Sequence, residues 1–385
     1  MTFRRFTRLR WTLPSRQALL TSAALLCAST ADAQMTLQGP GDSSLTLGLW
    51  LRASYVNAEE ARPAGGSARD SGFTMDSVRL LSSAKFTRSF GATLTFERPP
   101  AKDMQLLDAI LQFELAEGLN LWAGRLVPPT DRSNMAGNQF ANVWGYPFVS
   151  LYPNAFTGRD DGVLLWGNLY ADRLLYSVGV FEGKNRGGGL SNASNEPLFA
   201  ARFAWSFLDP EPGYYGTSTY YGDKEVFTLG AALMTQKDGV GVAGARGDYR
   251  AWNLDALYET RLRSGGVLTV EAAWYDYDTD GVADVAPADP LCSRVSNCGG
   301  ALQADAALLT VGYLIPHAFG PGRFQPYVRF QRLDPDAGAR AEQWDVGANY
   351  VISGHKARLT AVYSSAKSEG AASLDRFVLG LQLLY

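Results

Sequence analysis

Two histidines and three cysteines are all that this 385-residue chain holds of the side chains that most often bind metals or serve as nucleophiles. His317 lies in a Pro- and Gly-rich turn, and His355 stands beside another turn far along the chain. Neither has a Ser nucleophile and an orienting carboxylate near it in sequence, so hydrolase chemistry has no visible triad. Two separated histidines do not make a zinc site. No Gly-rich loop follows a strand and opens a helix, which excludes the usual nucleotide cradle. Beyond the first thirty residues no apolar run is long enough to cross a bilayer as a helix. Cationic excess is missing too: 35 Lys and Arg face 38 Asp and Glu, for a formal charge of -3. A nucleic-acid partner is therefore not expected.

The start of the chain is of a different kind. Arg4, Arg5, Arg8, Arg10 and Arg16 precede a short apolar stretch from Ala18 to Ser29, and Ala31-Asp32-Ala33 supplies a small-x-small cleavage pattern. This reads as an export leader over residues 1–33, with the barrel domain described next occupying 34–385. Without the leader, 30 basic and 37 acidic groups remain, a charge of -7. Cys27 leaves with it. Cys292 and Cys298, close together in a Gly- and Ser-containing loop, are then a disulfide candidate in an oxidising compartment.

From Leu45 onward one pattern recurs about sixteen times: roughly ten residues alternating apolar and polar, then a turn. Alternation puts successive side chains on opposite faces of a strand. Strands are expected near 45–56, 74–86, 90–97, 105–116, 119–126, 162–170, 173–182, 197–207, 225–236, 249–261, 266–277, 303–315, 322–333, 342–352, 355–365 and 374–385. Phe377, Leu379, Leu381, Leu383 and Tyr385 share one face of the last, with Arg376, Gly380 and Gln382 opposite and Val378 and Leu384 as exceptions. Outward Leu107, Ala109, Leu111 and Phe113 oppose inward Asp108 and Gln112. Outward Phe199, Phe203 and Trp205 oppose Arg202, and Trp344 and Val346 oppose Asp345 and Asn349. A greasy exterior and a polar interior give an all-β fold, a transmembrane antiparallel barrel of sixteen strands. Such a cylinder is too wide for its own side chains to fill, which leaves a water-filled lumen.

Turns after even-numbered strands are tight, as at Glu117-Gly118 and Ser264-Gly265, while those after odd-numbered strands are longer, at Asn57–Phe73, Val127–Asp161, Glu182–Glu196 and Asp278–Leu302. Leu208–Lys224, with four tyrosines, breaks this rule. Val127–Asp161 is too long for a hairpin and carries six aromatics, among them Phe140, Trp144 and Tyr146. It is expected to fold into the lumen as a constriction bearing Arg125, Arg132 and Arg159; the other reading is an outward loop packed on itself. Arg79, Arg202 and Arg329, with Arg52, Lys85, Arg358 and Arg376, fall on inward faces. They form an anion path or pair with carboxylates such as Asp76, Asp108, Asp255, Glu271 and Asp345, and the sequence leaves both open. Asp276, Asp278 and Asp280 resemble the start of a Ca²⁺ loop, but Pro287 stands where the closing acid belongs.

Val78-Arg79-Leu80, the run from Leu107 to Leu126, Phe156–Gly162, Tyr220–Lys224 and Val328-Arg329-Phe330 resemble the phosphate-selective porins O and P. Each motif is short; their order carries the likeness, which covers nearly all of the mature chain. The resemblance implies a sixteen-stranded homotrimer in the bacterial outer membrane, its third loop folded inward beside a basic path. Arg79 and Arg329 match positions where that family commonly has Arg on the inner wall. Val127 stands where the family often has Lys, with Pro129 following.

The expected function is an outer-membrane porin, embedded in lipid, that lets small hydrophilic solutes diffuse, anions such as phosphate among them. Arg125, Arg132 and Arg159 would set the field of the eyelet, and Arg79, Arg202 and Arg329 would guide ions along the wall. No enzyme activity and no cofactor are expected. The alternatives are a structural or receptor barrel whose external loops bind a partner, and a cation-preferring general porin, which the mature net charge motivates.

Overall fold

A computed structural model describes residues 34–61, 67–100, 103–151, 158–183, 196–242, 244–282 and 303–385. The leader, Cys292 and Cys298 lie outside the described residues. A short strand β1 (Met35–Gln38) precedes β2 (Ser44–Ala61), β3 (Ser67–Lys85), β4 (Phe90–Arg98), β5 (Gln105–Ala116) and β6 (Leu119–Leu126). After a helix α1 (Arg132–Phe140) come β7 (Asp160–Leu169), β8 (Leu174–Phe181), β9 (Leu198–Ser206), β10 (Val226–Val242), β11 (Ala245–Arg261) and β12 (Val267–Asp278). The chain ends with β13 (Ala304–Leu314), β14 (Arg323–Pro335), β15 (Ala341–Ser353), β16 (Ala357–Ser368) and β17 (Leu374–Leu384).

Strands β2 to β17 pair antiparallel with their sequence neighbours, and β17 pairs back onto β2 with Leu384 opposite Trp50 and Arg376 opposite Ala58. The sheet is thus a closed sixteen-stranded barrel, without the free edges that lipid does not tolerate. β1 lies on the same side of β2 just beyond the end of β17, with Met35 opposite Leu47. Outward side chains form the apolar exterior: Phe199, Phe203 and Phe207, then Trp344 and Val346, then Leu379, Leu381 and Leu383 are all exposed. Inward Arg202, Asp255, Asn349 and Gln382 are buried. Val378 and Leu384, which break the polar pattern of the last strand, also face in; Val378 joins Val143, Trp144, Tyr327 and Val362 in an apolar cluster inside the barrel.

Three expectations need correction. The segment 57–73 is mostly strand, because β2 and β3 stay paired as far as Ala61 and Ser67, tied by Arg69 donating to Asn57 and Glu59. Likewise β10 and β11 run on together to Val242 and Ala245, past the strand ends expected at 236 and 249. Leu107 is buried, not lipid-facing. It is the extra residue of a bulge opposite Thr95 and Phe96, which pair with Asp108 and Leu106.

A second bulge matters more. Arg52 pairs with Ser77 and Ala53 with Met75, so Asp76 is the extra residue between them. Strict alternation would put Asp76 and Arg79 on opposite faces. The bulge brings both to the interior.

Candidate functional site

All six arginines singled out from the sequence have a carboxylate partner. Arg79 Nη2 lies 2.8 Å from Glu97, Arg159 Nε 2.9 Å from Asp108, and Arg329 Nε 2.8 Å from Asp345. Arg202 forks onto Asp255 at 2.5 and 2.8 Å. Arg132 forks onto Glu211 at 2.9 and 2.8 Å, and Arg125 onto Asp161 at 2.8 and 2.9 Å. Of the two readings left open, pairing describes these six.

The segment that follows β6 lies against inward side chains of distant strands. Asp131 caps α1, accepting from Asn134 N, and also takes hydrogen bonds from Tyr275 Oη (2.7 Å) and Ser150 Oγ (3.0 Å). Burial pushes its carboxyl up to about 6. Beyond the helix the backbone is irregular, and each polar group needs a partner at membrane depth. Ala141 O accepts from Arg358 at 2.6 Å, Asn142 O from Asn349 at 2.9 Å, Trp144 O from Arg52 at 2.7 Å and Gly145 O from Arg329 at 2.8 Å. Phe148 N donates to Gln331 (2.9 Å) and Leu151 N to Tyr277 (2.9 Å). Inward Arg, Asn and Gln on β2 and β14 to β16, with Tyr277 on β12, are therefore anchors for this segment as well as lining.

The long connection between β9 and β10 reaches the same segment. Tyr214 Oη donates to Val127 O at 2.6 Å, Ser218 N donates to Phe140 O at 3.0 Å, and Glu211 holds Arg132 at the start of α1. Arg132 keeps the buried Glu211 carboxyl down at about 2 against the opposing effect of burial. His355, in the turn after β15, closes the junction: its Nε2 lies 2.9 Å from Thr219 O and 3.1 Å from Thr217 Oγ1, with Phe140 and Tyr221 packed on its ring. Burial, and then nearby Arg358, push this imidazole down to about 3. Only an anomalous length and four tyrosines marked this connection in the sequence.

Among the described residues a cavity of about 790 Å³ lies between the segment after β6 and the wall of β2 to β5 with β17. Its charged lining is Arg52, Arg79, Arg159 and Arg376 against Asp70, Asp76, Glu97 and Asp108. Arg79 and Arg159 are thus on it. Arg132 and Arg202 border a separate small cleft beside Tyr214. Arg329 is buried behind Gly145. Arg125 follows the outward phase of β6, since its neighbours on that face, Leu121 and Ala123, pair with exposed Leu165 and Val163. An eyelet of Arg125, Arg132 and Arg159 together is therefore not what the geometry brings to one place. Glu97 was readable in the alternation Thr93, Thr95, Glu97. The contact of Arg52 with Trp144, its guanidinium carbon 3.8 Å from the ring centroid, was not.

Asp276, Asp278 and Asp280 do not lie together in a loop, and positions 283–302, where such a Ca²⁺ loop would close, lie outside the described residues. Asp276 and Asp278 belong to β12, which spreads them along a strand where a loop would wrap them, and Asp276 pairs across to Asp305. Among the described residues no group of three metal-ligating side chains is placed to hold an ion.

The sequence matches no protein-family profile and no curated protein. Solved structures do match. An anion-selective porin from Comamonas acidovorans is 14% identical, with a TM-score of 0.57 over 89% of this chain and 100% of that one. OmpT, an outer-membrane protein of Vibrio cholerae in trimer form, is 13% identical at a TM-score of 0.56, covering 89% and 99%. A substituted porin of Rh. blastica is 15% identical at 0.52, covering 89% and 100%. At these identities the likeness is one of fold: the chain is built as outer-membrane porins are built.

Proposed function

We propose that this chain is an outer-membrane porin through which small hydrophilic solutes diffuse, with a preference for anions, phosphate included. The carrying observation is a roomy cavity with four arginines on it, enclosed by a closed barrel whose outside is apolar. Such a pore replaces part of an ion's hydration with Arg donors and releases it again without covalent chemistry. Two of the four arginines, Arg79 and Arg159, are held by carboxylates, whereas Arg52 is in ion-pair contact with none among the described residues, so a cation not spent on an ion pair stands on the cavity wall. The anion-selective porin among the similar structures and the trimer form of another support an anion-preferring trimer. Residues 1–33 are in this reading the export leader, removed on the way to the outer membrane.

Purified protein in planar bilayers tests the proposal. Ohmic steps are expected, with a reversal potential in a KCl gradient of the sign for anions. A silent bilayer would point to a receptor barrel, and the cation sign would defeat the anion preference.

A further inference from the structure

Trp144 joins the inner segment to the seam of the barrel, as does Gln382 of β17, whose Nε2 donates to Gln139 O at 2.9 Å. The Trp144 indole lies flat on β17 at Gly380, where any Cβ would stand 2.7 Å from the ring. Glycine is required there by this close approach. Val378, two residues earlier on the same inward face, completes the seat. On its other side the ring carries the Arg52 guanidinium at 3.8 Å, and Arg52 Nη2 also donates to the Trp144 carbonyl. Among the described residues no carboxylate is in ion-pair contact with Arg52, whose Nε is buried without a partner. The cation is thus held by an aromatic face in place of an acid. The next residue, Gly145, leaves just enough room for Arg376, whose Nη2 comes within 3.2 Å of where a Cβ would be.

We propose that Trp144, seated on Gly380, determines both the width of the passage and its charge preference: it helps pin the inner segment to the barrel seam and covers Arg52, a cavity cation that no carboxylate contacts as an ion pair. The inference deepens the porin reading and rests on it. Replacing Trp144 removes the lid from Arg52 and opens space beside β17, so a larger pore with more exposed positive charge results. This runs against the ordinary expectation that losing an uncharged residue leaves ion selectivity alone.

The test compares single-channel currents and KCl reversal potentials of wild type, Trp144→Leu, Gly380→Val and the double variant Trp144→Leu with Arg52→Gln. Trp144→Leu, which keeps apolar volume, is expected to raise conductance and move the reversal potential further toward anions; Gly380→Val, which evicts the ring, should do the same. In the double variant the reversal potential should return toward wild type while the conductance stays raised. Unchanged currents, or a shift toward cations, in Trp144→Leu would overturn the proposal. So would failure of both single variants to form a heat-resistant folded barrel, since Trp144 would then be a folding residue. Silence of the wild-type protein itself would instead remove the porin reading beneath it.

Discussion

Arg132 shows how a buried charge is tolerated inside this barrel. Its guanidinium has Glu211 on two nitrogens, the Thr217 carbonyl at 2.9 Å and Asp255 at 3.9 Å, and its side chain is 5% exposed. Removing one member of such a pair strands the other in a poorly solvated place. Arg132→Met should therefore cost about 3–5 kcal/mol of stability, while Arg132→Met combined with Glu211→Leu should recover most of it. Thermal unfolding in detergent, followed by circular dichroism, measures both; an unharmed single variant would contradict the pairing. These pairings were the least legible part of the sequence. The period-two pattern told which face Arg79, Arg202 and Arg329 occupy, but Glu97 and Asp345 come from neighbouring strands and Asp255 from the next strand but one, across Gly230 of β10, in a register that a single sequence does not fix. Glu211 comes from a connection with no periodicity at all.

Single elements, by contrast, were legible nearly end to end wherever alternation was clean. β5 and β6 have the bounds that the pattern gave, while the two outward hairpins run longer because polar ladders leave no hydrophobic mark of where they stop. Bulges were hidden, and one has an electrical consequence. Asp76 reaches the interior only because β3 gains a residue there, so Asp76→Asn should shift the reversal potential toward anions without altering the pairing of β2 with β3; a shift toward cations would count against its place beside Arg52 and Arg376.

The junction of the two inner segments responds to acid. His355 has an ordinary pKa of 6.5 and is pushed to about 3, so it contributes stability that is complete above 6.5 and lost as pH falls toward 3. Asp131, raised to about 6, acts in the opposite sense: its contribution is present below 3.8 and lost as pH rises through 6. Comparing His355→Gln with wild type isolates the first effect. The difference in unfolding temperature should move in favour of the variant between pH 6.5 and 4.5, and a pH-independent difference would show that the imidazole titrates normally.

For the whole molecule, the exterior band and the closed ladder require an apolar environment. The purified chain should be β-rich in detergent, precipitate when detergent is withdrawn, and migrate as a compact species in dodecyl sulfate until heated. A freely soluble protein would refute the barrel's orientation of greasy side chains. The cylinder could be read from the sequence because lipid imposes one rule on every strand. The cavity could not, since its inner boundary is set by the irregular segment after β6.

Because the cavity runs along β2 and β17, its wall includes the joint where the last strand meets the first. A partly assembled sheet, however many hairpins it has, lacks that wall and gapes sideways into the bilayer. The cavity's complete wall and the finished fold therefore arise in one event, the pairing of β17 with β2.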